Sequence, residues 1–75
     1  MVIKIKGKDY WVHGKCNTAK QMVMNNMVEF LEDTDQLGFA TRIDCVAYVM
    51  GYYGSVLQIH WEVINELATL KLIRM

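Results

Sequence analysis

The stretch TRIDCVAYVMG, residues 41–51, decides the reading of the fold. Thr41 is a good N-cap, because its hydroxyl can accept a hydrogen bond from a free amide in the first helical turn. Asp44 follows three residues later, where its carboxylate can reach back to close a capping box. Ile43, Val46, Ala47 and Met50 then mark an apolar stripe along a short helix. Gly51 ends that helix in this reading, since glycine accepts the left-handed backbone of a tight turn.

Downstream, Ser55 is the expected cap of a long helix reaching about residue 70. Its polar residues, Gln58, Glu62, Asn65 or Glu66, and Thr69, make one narrow stripe. Val56, Leu57, Ile59, Trp61, Val63, Ile64, Leu67, Ala68 and Leu70 fill the rest. A helix apolar around most of its circumference must be buried on more than one side. Residues 72–75 then read as a short extended end.

Upstream, Asn17 or Thr18 caps a helix whose apolar positions are Ala19, Met22, Val23, Met27, Phe30 and Leu31. Met24 is left unassigned. Glu32, Asp33 and Asp35 place acid at the C-terminal end of this helix, the unfavourable end for its dipole. Before it, residues 2–6 are rich in β-branched side chains, Gly7, Lys8 and Asp9 supply turn chemistry, and residues 10–13 read as a returning strand. The expected fold class is therefore α+β: an N-terminal β-hairpin, three helices and a short C-terminal strand that pairs with the hairpin, all in one domain spanning residues 1–75.

The chain has 75 residues, enough for one domain. It is 53% hydrophobic and lacks proline. Excess apolar surface on so small a domain commonly ends in a dimer interface or a partner site. No apolar run approaches the roughly 18 residues of a membrane span, and the start lacks the apolar core of a signal peptide. Cytoplasmic residence, with no membrane partner, is the expectation. Two cysteines, Cys16 and Cys45, make no disulfide framework and read as packed thiols. Net charge is zero but unevenly placed: residues 1–20 hold five lysines against Asp9, and residues 21–75 hold Arg42, Lys71 and Arg74 against seven carboxylates.

Within this pattern, residues 41–51 resemble the first helix and turn of a helix-turn-helix, with Ala47 as the small packing residue and Gly51 as the turn glycine. Residues 63–73 are similar to the end of a winged-helix recognition helix, whose leucine is followed by a Leu-Ile pair, here Leu72 and Ile73. The resemblance covers about residues 18–75. It departs from the family in about three extra residues after Gly51, in Lys71 where glycine is usual, and in a chain end at Met75 that truncates the wing. It implies a winged-helix-like scaffold and DNA binding through the third helix.

The charges argue otherwise. Between Arg42 and Lys71 there is no cation, whereas Asp44, Glu62 and Glu66 are present, and duplex affinity rests largely on neutralising phosphates. The favoured reading is a non-enzymatic regulatory domain that binds a protein partner through Tyr48, Tyr52 and Tyr53, with Gln58 and Glu62, since tyrosine and tryptophan anchor interfaces. Self-association through Leu57, Trp61 and Ile64 would use the second apolar side of the third helix. The alternative is a transcriptional regulator gripping duplex DNA with Lys4, Lys6, Lys8, Lys15, Arg42 and Gln58. In profile the chain resembles small phage proteins that inhibit host machinery, anti-CRISPR proteins among them, which implies a viral origin.

Sharper chemistry finds little support. His13, Cys16, Cys45 and His60 are four potential zinc ligands, but Cys45 and His60 are isolated and no Cys-x-x-Cys pair occurs. A Cys45–His60 nucleophile pair with Asp44 or Glu62 as orienter matches on residue types alone, and Asp44 and Cys45, adjacent on a helix, point about 100° apart and form no line of relay. No phosphate loop, no GxSxG motif and no small-molecule pocket are expected, nor any cofactor or metal.

Overall fold

The computed structural model describes the backbone of Val2–Ile5 and Lys8–Trp11, the side chain of Asp9, and all of residues 18–75. Three helices carry the fold: α1, Thr18–Asp33; α2, Arg42–Tyr53; and α3, Gln58–Thr69. α3 packs against both α1 and α2, so its broad apolar surface is covered on two sides from within the chain. The fold is thus helical, which corrects the α+β expectation. Residues 18–75 contain no strand, and among the described residues the antiparallel backbone pairing of Val2–Ile5 with Lys8–Trp11 has no third strand. The described core is built from helices and their connections, which leave no sheet layer to complete.

The expected C-terminal strand is also absent. Leu72 and Ile73 are buried, and Arg74 makes one isolated parallel bridge to Thr41. Its amide donates to the Ala40 carbonyl (2.7 Å), and its carbonyl accepts from the Arg42 amide (3.0 Å). The terminal segment therefore pins the entry to α2 rather than pairing with the N-terminus.

The capping box at α2 forms as the sequence predicts. The Thr41 hydroxyl accepts from the Asp44 amide (3.2 Å), and the Asp44 carboxylate accepts from the Thr41 amide (2.8 Å). Hydrogen bonding to the carboxylate from Thr41, first from its backbone amide and then from its side chain, holds the Asp44 carboxyl below the usual carboxylate range. That contribution to stability is present at neutral pH and is lost as pH falls through the lowered value. Thr41→Ala is expected to destabilise the domain by about 1 kcal/mol in urea unfolding. An unchanged midpoint would show that the cap contributes nothing.

The helix ends depart from expectation. α2 runs past Gly51 to Tyr53, and Gly54 closes it in the left-handed region (φ 82°), its amide donating to the Met50 carbonyl. α3 starts after Leu57, which provides no side-chain cap, so Ser55 is not its N-cap. α1 and α3 end in Schellman turns: Gln36 donates to Leu31 and Asp35 to Glu32, as Leu72 does to Leu67 and Lys71 to Ala68. Asp35 (φ 55°) and Lys71 (φ 61°) take the left-handed positions usually given to glycine. Because Gly51 is helical, with open space where a Cβ would stand, Gly51→Ala is expected to stabilise by about 0.5–1 kcal/mol. Gly54→Ala should do the opposite. Thermal melts of the two variants check the pair, and shifts of the same sign would contradict this placement of the helix end.

The core joins Val23, Met24, Met27, Val28 and Leu31 of α1 to Cys45 and Val49 of α2, and to Val63, Ile64 and Leu67 of α3. In α1 this exchanges expected positions: Ala19 and Met22 are exposed, while Met24 is fully buried. In α2 most of the stripe turns away from the core, Val46 alone packing against it. Ile43 is 79% and Met50 56% exposed, Ala47 is exposed and Val46 half-buried, whereas Val49 is sealed. The inward face uses the smaller Cys45 and Val49, flanked by Tyr48 and Tyr53. Ala47 and Gly51 consequently do not fill the packing and turn positions that the helix-turn-helix resemblance assigns them.

Candidate protein-binding surface

The outward stripe of α2 is the most conspicuous surface feature. Ile43 and Val46 meet Trp61 of α3 and the terminal Met75, with Arg42, around a shallow groove of about 300 Å³. Trp61 is 42% exposed and Leu57, one turn earlier, is also exposed. Arg42 sends a guanidinium NH to the Asn65 side-chain oxygen, which holds the cation against α3. Contiguous apolar exposure of this kind on a small domain marks an interaction site more often than a neutral surface.

On the other side of α2, aromatic rings form a chain. Phe30 stacks on Tyr48 with centroids 3.9 Å apart and planes 15° from parallel. Tyr48 is followed by Tyr52 at 5.7 Å, Tyr52 by Tyr53 at 4.7 Å, and Tyr53 by the buried His60 at 4.8 Å. The Tyr53 hydroxyl accepts from Asn26 of α1 (3.0 Å), tying α1 to α2. Two grooves flank the Phe30–Tyr48 stack. One, of about 400 Å³, is lined by Phe30, Gln36, Phe39, Ala40, Asp44, Ala47 and Tyr48. The other, of about 340 Å³, is lined by Asn26, Glu29, Phe30, Asp33, Tyr48 and Tyr52. Partial burial, then the neighbouring Tyr53 and Tyr52 and the Glu29 charge, raise the Tyr48 hydroxyl above its ordinary value.

The residues singled out from sequence scatter over this surface. Tyr52, Gln58 and Glu62 are exposed, Tyr48 is half-buried as the middle of the stack, and Tyr53 is half-buried against Asn26 and His60. Of the expected dimer face, Leu57 and Trp61 are at the surface, but Ile64 is fully buried in the chain's own core and offers nothing to a second copy. The side chains of Lys4, Lys6, Lys8 and Lys15 lie outside the described residues. Sequence reasoning missed Ile43 and Met50 as surface residues, having assigned them inward. It also missed Phe30, Phe39, Glu29 and Asp33, whose only signal was acid gathered at the unfavourable end of α1.

The buried reactive groups take another role. Desolvation, aided by the Asp44 charge, pushes the Cys45 thiol up to about 11. Cys45 thereby stabilises the fold below about pH 9, and this contribution fades as pH rises toward 11. In a Cys16→Ser background, thiol labelling of the folded chain at pH 8 is expected to run on the order of a hundredfold slower than in denaturant; equal rates would contradict the burial. His60 is buried with neither ring nitrogen hydrogen-bonded among the described residues. It serves as a packing ring under Tyr53. No group of three or more His, Cys, Asp or Glu residues that could hold a metal ion occurs among the described residues, and His13 and Cys16 lie outside them.

Known proteins offer no guide: no family model matches the chain, and no curated protein or solved structure matches it. No helix among the described residues is long and apolar enough to cross a membrane.

Proposed function

We propose that this chain is a small, non-enzymatic, cytoplasmic regulatory domain that binds a protein partner on a three-helix scaffold. The observation that carries this reading is the orientation of α2. The helix has enough apolar residues to bury either face, yet it turns Ile43 and Met50 outward, Ile43 into the groove that Trp61 also lines. Exposed apolar side chains at this density are kept where something covers them. Charge supports a protein over a duplex. α3 carries no cation, its exposed positions include Glu62, and Arg42 is held by Asn65. The profile shared with small phage inhibitors makes host machinery the place to look for the partner.

Affinity capture with the wild-type chain and a folded Ile43→Asp/Met50→Asp variant tests the proposal. A partner enriched by the wild type should fall at least about tenfold with the variant, the loss expected when interface anchors are removed. Equal recovery, or tight duplex binding that weakens steeply with salt, would replace this reading.

A further inference from the structure

We propose that the two grooves flanking the Phe30–Tyr48 stack seat a lysine- and arginine-rich segment of the partner. This inference rests on the protein-binding reading and adds the partner's chemistry. The rings of Phe30, Phe39, Tyr48 and Tyr52 line the grooves, and Phe39 and Tyr52 stand largely in solvent. The charged residues lining them are all acidic: Asp44 in one groove, and Glu29 and Asp33 in the other. Aromatic faces beside carboxylates suit a guanidinium, which stacks on the ring while its edge meets the carboxylate.

A second observation points the same way. Glu29, Glu32, Asp33 and Asp35 gather at the C-terminal end of α1, whose last turn has no basic residue. Carboxylates there oppose the helix dipole, so the fold gains no stability from them. Two of them, Glu29 and Asp33, instead line a groove.

Backbone-amide NMR titration of the whole chain with short synthetic peptides tests this, using arginine-rich, lysine-rich and glutamate-rich probes of equal length. The arginine peptide should shift the amides of Glu29, Phe30, Asp33, Asp44, Tyr48 and Tyr52. It should bind more tightly than the lysine peptide and weaken as salt rises. Glu29→Lys/Asp33→Lys should reduce its affinity at least about tenfold, a loss of close charge pairs. The melting temperature should hold or rise, because lysine suits that helix end. Tyr52→Ala should weaken the arginine peptide more than the lysine peptide, which separates ring stacking from charge alone.

Equal binding of the glutamate peptide, shifts confined to another surface, or unchanged affinity in Glu29→Lys/Asp33→Lys would overturn the assignment. So would self-association that the same double variant abolishes, since lysines of a second copy, among Lys4, Lys6, Lys8 and Lys15, would then be the occupant. If partner capture survives while peptide binding fails, this inference falls and the protein-binding reading stands. The reverse pattern would remove that reading instead.

Discussion

Ile64→Ala is expected to cost the domain about 2–5 kcal/mol, the range for emptying a sealed core position. Ile64 is fully buried in the core that α3 shares with α1 and α2, so its missing atoms leave a space that three short helices cannot close. A domain of 75 residues has about 4–11 kcal/mol in total, so the variant should unfold at much lower denaturant and be partly unfolded near physiological temperature. The effect should not depend on protein concentration. Were Ile64 a dimer anchor, the substitution would leave the monomer's urea midpoint intact and lower only the apparent mass. Met22→Ala is the control: Met22 is 60% exposed, and its loss should fall within about 0.5 kcal/mol.

The second large effect separates the two faces of α2. Val49→Asp is expected to unfold the domain, because an unpaired carboxylate at a sealed position costs several kcal/mol. Ile43→Asp, on the same helix, should leave the far-ultraviolet circular dichroism and the melting temperature nearly unchanged. Its side chain already stands in water, and an acid near the start of a helix is favourable. If Ile43→Asp unfolded the chain and Val49→Asp did not, the helix would be rotated as the sequence pattern suggests.

That rotation shows where sequence reading reached its limit. The capping box was legible because it depends on two residues three apart and on no tertiary contact. The three helices were legible for a similar reason, since apolar spacing sets their period. The phase of α2 was not. Its more apolar side, Ile43, Val46, Ala47 and Met50, looked like the core face, but the core takes Cys45 and Val49 with the edges of Tyr48 and Tyr53. A pattern of hydrophobicity cannot tell a core face from a partner face.

The helix ends were hidden by residue type. Glycine is the usual stop signal, which points to Gly51, while Asp35 and Lys71 take left-handed turns without glycine's freedom. After Lys71 the chain enters the core at Leu72, whose amide donates to the Leu67 carbonyl. The same burial draws residues 72 and 73 out of the expected strand. For the binding surface, the tyrosine cluster was visible as composition. The grooves needed Phe30 and Phe39 brought beside Tyr48 and could not be seen from spacing.

The native methionines provide the most direct measurement of whether α2 offers its greasy side to solvent. In methyl NMR with a soluble paramagnetic probe, the Met50 methyl should broaden as readily as that of Met22, while those of Met24 and Met27, both sealed, stay sharp. Protection of Met50 as complete as that of Met24 would contradict the account, for the face proposed to meet a partner would already be covered.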